Sequence, residues 1–96
     1  MLHIISVGTG HSVLLERLGS DDALLFIGEA VLSLHKNAHH AEPLLQSCHA
    51  GHCYALAPDL HLRGLSALDV LPQIILLEYV DFVQLTLEHT VIKTWR

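Results

Sequence analysis

Positive charge is scarce in this chain. Its five cations, Arg17, Lys36, Arg63, Lys93 and Arg96, are spread from one end to the other, against ten acidic residues and a formal net charge of −5. Binding to a phosphate backbone needs clustered lysine and arginine, so direct contact of this chain with nucleic acid is not expected. Long apolar runs are missing as well. No window of about 18 apolar residues, the length of a membrane span, is present. The opening Met1-Leu2-His3-Ile4-Ile5 has neither the basic region nor the cleavage site of a secretory signal. These absences point to a cytoplasmic chain with no membrane partner. Cysteine is limited to Cys48 and Cys53, and in a reducing compartment two such residues are expected as thiols rather than as a disulfide. There is no low-complexity tract and no sequence-level repeat.

Apolar side chain, by contrast, is abundant. Hydrophobic residues make up 51% of the 96 residues and charged residues only 16%. A chain of this length is one domain, residues 1–96. It buries only about 60–65% of its unfolded surface, so much of it must face outward. The apolar excess has two outlets: a sheet covered on both faces, or surface reserved for partner chains. Both are expected.

The stretch that organises the chain is Ile74 to His89. Ile74-Ile75-Leu76-Leu77 is a short apolar run without alternation, which reads as a strand covered on both faces. From Tyr79 the period becomes helical. Asp81, Gln84 and Glu88 form a polar stripe, and Tyr79, Val80, Phe82, Val83 and Leu87 a broad apolar face. A strand running directly into such a helix is half of a βαβ unit.

The same theme recurs upstream. Leu2–Val7 and Asp22–Ile27 read as strands, and Cys53–Leu56 as a third. Ser12 is a plausible helix N-cap, with Val13, Leu14 and Leu18 on the buried face and Gly19-Ser20 closing the helix. Ala30, Val31, Leu34 and Ala38 form a second helical stripe. Glu42-Pro43-Leu44-Leu45 opens a short helix, since proline is tolerated in a first turn. Pro58 to Arg63 is another helix, ended by Gly64. Leu65 to Gln73 reads as loop, and Val91 to Trp95 as a last strand at a sheet edge. The alternation predicts a small three-layer α/β/α domain with a mostly parallel sheet of about five strands. Ligands of such sheets sit beyond the carboxyl ends of the strands, here Gly8–His11, Gly28–Glu29, Ala57–Asp59 and Glu78–Asp81.

Each chemical motif has a plainer reading beside it. Gly8-x-Gly10 stands where a dinucleotide loop would be, with Glu29 near the place of a ribose-binding acid. Position 13 is Val rather than the third glycine, so a tight turn is the better reading. No cofactor is expected. Cys48-His49-Ala50-Gly51-His52-Cys53, with His35, His39 and His40 upstream, holds the ligand types of a zinc site. Adjacent Cys-His pairs point different ways, however, and Cys53 opens a strand, so no metal site is assigned. Cys48 could carry a persulfide, but a reactive thiol needs a helix N-terminus or a cation beside it, and no clear helix start follows. Ser12, His11 and Asp81 have the residue types of a hydrolytic triad without a nucleophile elbow. Asp59 and Asp81 open predicted helices, where a carboxylate offsets the macrodipole by about 0.3–1 kcal/mol. The nine histidines are too scattered to focus a pH switch.

Several of these segments occur together, in order. They are Met1-Leu2-His3, Asp22 to Ile27 with an acidic turn after it, and Tyr54-Ala55-Leu56 with Asp59-Leu60 and Arg63-Gly64-Leu65. Tyr79-x-Asp81-Phe82-Val83-x-Leu85-Thr86 and a terminal Trp95 complete the set. Together they resemble the TusB/DsrH family of the DsrE/DsrF/DsrH superfamily, over most of the chain and least between Asn37 and His52. The resemblance implies a small α/β domain, in agreement with the reading above. It also implies a hetero-oligomer with TusC-like and TusD-like subunits, a dimer of heterotrimers. That complex receives persulfide sulfur from a TusA-like carrier and passes it towards a TusE-like one, for the 2-thio group of the wobble uridine of tRNA. In related sulfur oxidisers the DsrEFH complex serves dissimilatory metabolism.

The chain departs from the family pattern at Gly8-Thr9-Gly10-His11, where a polar, proline-containing turn is common, and at Glu29-Ala30-Val31, where acidic-Gly-Val is common. In the family the relay cysteine belongs to the TusD-like subunit. Cys48 and Cys53 do not match its position, so no catalytic residue is assigned. The expectation is therefore a non-catalytic relay subunit, with Tyr79, Phe82, Val83 and Trp95 as interface candidates. The alternatives are a sulfurtransferase acting through Cys48 and a DsrEFH-type subunit in sulfur oxidation.

Overall fold

The computed structural model describes residues 1–6, 22–35, 52–70 and 73–95. Five strands form one sheet: β1 (Leu2–Ile5), β2 (Ala23–Phe26), β3 (Cys53–Leu56), β4 (Ile75–Leu77) and β5 (Ile92–Trp95). Their order is β4-β3-β2-β1-β5. Every pair is parallel, which firms up the expectation of a mostly parallel sheet. The strands step outward from β1 to β4, and the chain then crosses back to lay β5 on the free side of β1. The register places Leu2 beside Ala23 and Ile92, and Ile5 beside Phe26 and Trp95.

Parallel strands need crossovers, and right-handed crossovers put connections of opposite direction on opposite faces. The sheet accordingly has two apolar cores. On the first face Ile5, Leu24, Phe26, Cys53 and Ala55 meet Ala30, Val31 and Leu34 from a 3₁₀ helix (Gly28–Leu34) and Leu60 from helix α1 (Ala57–Leu62). On the second face Leu2, Ile4, Ala23 and Leu25 meet Leu85 of helix α2 (Tyr79–Glu88), with Tyr54, Leu77 and Phe82 half-buried around it. The central strands β1 and β2 are buried along their full length, as covered parallel strands are.

The helix ends follow from local chemistry. Pro58 lies in the first turn of α1, where its missing N–H costs nothing. Gly64, at φ +74°, closes the helix. Its N–H donates to His61 O at 3.1 Å and that of Leu65 to Leu60 O at 2.9 Å, the paired bonds of a Schellman cap. In α2 the Asp81 carboxylate accepts from the Glu78 N–H at 3.1 Å, so Asp81 caps the helix as expected.

Three sequence expectations change. The stripe Ala30, Val31 and Leu34 is buried, but on a 3₁₀ turn rather than an α-helix. Its ends are tied by i→i+3 bonds, Ala30 N–H to Ile27 O and His35 N–H to Leu32 O. The expected loop after Gly64 contains a short 3₁₀ turn (Ala67–Asp69). Asp69 Oδ2 there accepts from the Ser66 N–H at 2.8 Å, and Ser66 Oγ accepts from the Leu68 N–H at 3.3 Å. Most consequentially, β4 is not a strand buried on both faces. It is an edge strand, and Ile75 is 40% exposed; of the run Ile74–Leu77 only Ile74 is fully buried, while Leu76 and Leu77 lie half-buried against the first and the second core. The expected edge position of β5 holds. The helix expected from Ser12, the one from Glu42 and the extension to Ala38 lie outside the described residues.

Candidate functional site

Of the segments expected at the carboxyl ends of the strands, two are joined directly. Gly28, which follows β2, donates its N–H to Asp59 Oδ2, in the first turn of α1 after β3, at 2.7 Å. The Asp59 carboxylate therefore does not cap its own helix; it ties two neighbouring strand ends together. Gly28 adopts φ +56°, and the atom nearest to where a Cβ would stand is Ser6 O, at 3.9 Å. Backbone conformation, not space, thus favours glycine there. Glu29 is exposed beside it. At the junction of β1 and β5 the Ser6 N–H and hydroxyl both donate to Trp95 O, at 3.2 and 3.1 Å. Gly8, Gly10, His11 and Ser12 lie outside the described residues.

The second feature is a cleft of about 210 Å³ between α2 and the β3–β4 side of the sheet, lined by Tyr54, Leu77, Asp81, Gln84, Leu85 and Glu88. The polar stripe Asp81, Gln84 and Glu88 is exposed and borders this cleft. Much of the apolar stripe faces solvent too: Tyr79 is 59% exposed, Val80 74%, Val83 56% and Leu87 75%. Only Leu85 is buried, and Phe82 packs half-buried beside it. The cause is tertiary. Leu85 and Phe82 are the residues that fit over Leu25 and Tyr54, and anchoring them rolls the wider apolar face outward.

Of the interface candidates, Tyr79 and Val83 thus stand on the outer face of α2, and Phe82 lies on its inner flank. Trp95 is half-buried against the first core, and its indole N–H donates to His3 Nδ1 at 3.0 Å.

Cys48 lies outside the described residues. Cys53 is 2% exposed and disulfide-bonded, which corrects the expectation of a thiol at that position. A sulfur in that state offers no thiolate for transfer chemistry. Among the described residues no group of three or more His, Cys, Asp or Glu side chains is placed to hold a metal ion. Asp81 is far in role from a hydrolytic triad, since its carboxylate caps α2, and its notional partners His11 and Ser12 lie outside the described residues. No helix of the described residues is long and apolar enough to cross a membrane.

The sequence reading missed three features. His3 is the one polar side chain in a buried strand among the described residues, and a buried imidazole signals a partner without naming it. Tyr54 stands in a buried strand yet lines a cleft. The Gly28–Asp59 bond joins residues 31 apart in sequence.

Fold and site together define a small α/β domain with a parallel sheet, tied at its strand ends by hydrogen bonds and carrying an outward apolar helix face beside an acidic cleft. A family profile described as DsrH-like protein matches residues 9–92. Similar curated proteins are Protein TusB of Pectobacterium atrosepticum, 34% identical over an alignment covering 99% of this chain and 100% of that protein, and Protein TusB of Yersinia enterocolitica, 32% identical with the same coverage. Protein TusB of Escherichia coli is 33% identical over 91% of this chain and 88% of that protein. The chain belongs to the TusB/DsrH family.

Proposed function

We propose that this chain is a non-catalytic subunit of a sulfur-relay complex of the TusBCD type, in which TusC-like and TusD-like subunits complete a heterohexamer. The complex takes persulfide sulfur from a TusA-like carrier and passes it through a TusE-like one, towards 2-thiolation of the wobble uridine of tRNA. The relay cysteine belongs to the TusD-like partner, and this chain shapes the assembly around it, in the cytoplasm and without touching tRNA itself.

The observation that carries the proposal is the orientation of α2. Four apolar side chains on one short helix, each more than half exposed, are costly to leave in water and mark a surface made for another chain. The closed state of Cys53 supports a supporting rather than a sulfur-carrying role. Co-expression with TusC-like and TusD-like subunits, followed by sizing, tests it. A stable complex is expected, together with loss of 2-thiouridine in tRNA when the chain is deleted. A chain that remains monomeric with both partners present overturns the proposal.

A further inference from the structure

We propose that the cleft beside α2 seats a lysine or arginine side chain of a partner chain, brought there by docking on the outer apolar face of the same helix; this rests on the assembly proposed above. The cleft has the two-part chemistry of such a side chain. Leu77, Leu85 and the Tyr54 ring give it an apolar floor, and Asp81, Gln84 and Glu88 an acceptor-rich wall. Lysine and arginine lay an aliphatic stem on apolar surface while the charged head stays at a polar rim.

Charge selects that occupant. Among the described residues no basic side chain lines the cleft. The described lysine and arginine are placed elsewhere: Arg63 Nη1 donates to Asp59 O at 3.3 Å, and Lys93 Nζ lies 4.3 Å from the centre of the Trp95 ring. Among the described residues no ion pair engages Asp81 or Glu88. Asp81 spends one acceptor position on the Glu78 N–H, and a carboxylate has about four. Glu88 lies at the C-terminal end of α2, with no basic residue in that last turn. The helix macrodipole is negative there, so an anion is disfavoured and an arriving cation favoured. The stripe and the face are also adjacent. Val80, Val83 and Leu87 alternate along the helix with Asp81, Gln84 and Glu88, so a partner surface covering the first set reaches the second.

The test uses the co-expressed complex with TusC-like and TusD-like subunits, its affinity measured for the wild type and for Glu88→Lys, Gln84→Lys and Glu29→Lys. Glu29→Lys makes the same charge change as Glu88→Lys at an exposed site on the other face of the sheet. Reversing or adding a charge in the cleft is expected to weaken assembly about tenfold or more, against less than about twofold for Glu29→Lys. Thermal melts of the isolated variants check that each folds; should Glu88→Lys unfold, Gln84→Lys carries the test alone. Assembly as tight in both cleft variants as in the wild type overturns the cation seat and leaves the relay-subunit reading standing. A wild-type chain that forms no complex overturns both. A chain that dimerises by itself, with the dimer lost in Glu88→Lys, replaces the sister subunit with a second copy and likewise overturns the proposal.

Discussion

Trp95 donates its indole N–H to Nδ1 of His3 across 3.0 Å, linking residues 92 apart in sequence. Indole can only donate, so His3 must accept at Nδ1 and carry its proton on Nε2. That proton is directed at Asp22 Oδ2, 3.1 Å away, and the Met1 amino group lies 3.2 Å from the other Asp22 oxygen. One chain of polar contacts thus binds the edge strand β5 to β1 and to the start of β2. Replacing His3 by Leu removes the acceptor and strands the indole N–H. The expected loss is about 1–3 kcal/mol, read by urea unfolding. Trp95 is the single tryptophan, so its emission reports β5 directly and should shift to the red in the variant.

The Asp59 carboxylate should matter more to local closure than to helix α1. Asp59→Ala leaves the Gly28 N–H without its 2.7 Å acceptor. A charge-assisted bond of this kind contributes about 1.5–3 kcal/mol. Amide hydrogen exchange at Gly28 should rise sharply in the variant while the exchange of β1 amides changes little. Equal acceleration across the sheet would count against a local tie.

Gly64 separates conformational strain from crowding. No atom lies within 4 Å of the position a Cβ would take, yet φ is +74°. Gly64→Ala is therefore expected to cost about 1 kcal/mol from backbone strain alone. Gly64→Asn should cost less, because asparagine tolerates this conformation better. Thermal melts of the pair check the order.

Three substitutions on α2 distinguish core from interface. Leu85 is 6% exposed, so Leu85→Ala should cost about 2–5 kcal/mol. Phe82→Asp puts a charge against the second core and should prevent stable folding. Val83→Asp, on the outer face, should change stability by less than about 0.5 kcal/mol and yet abolish assembly with the sister subunits. Circular dichroism and sizing on the same samples read both effects. A folded, assembling Val83→Asp variant would remove the outer face of α2 from the interface.

Much of this fold is visible in local patterns, because local patterns are set by local forces. A continuous apolar run marks Ala23–Phe26 as a covered strand, and the change of period at Tyr79 marks the start of α2. Gly64 marks a helix end because few other residues accept its conformation. These features depend on neighbours a few residues away, and the structure keeps them.

Residue order was therefore enough for the α/β class, the five strands, the capping role of Asp81 and the family. It was not enough to say which way those elements face. A helical wheel gives α2 a polar stripe and an apolar one, but burial goes to whichever residues fit the sheet. Here these are Leu85 and Phe82 rather than Val80, Val83 and Leu87. Likewise Ile75-Leu76-Leu77 is as apolar as a central strand, and only the strand order places it at an edge. The pairs His3–Trp95 and Gly28–Asp59 join distant residues. Partner choice in such pairs is settled by the packing of the whole sheet, and no spacing rule along the chain encodes it.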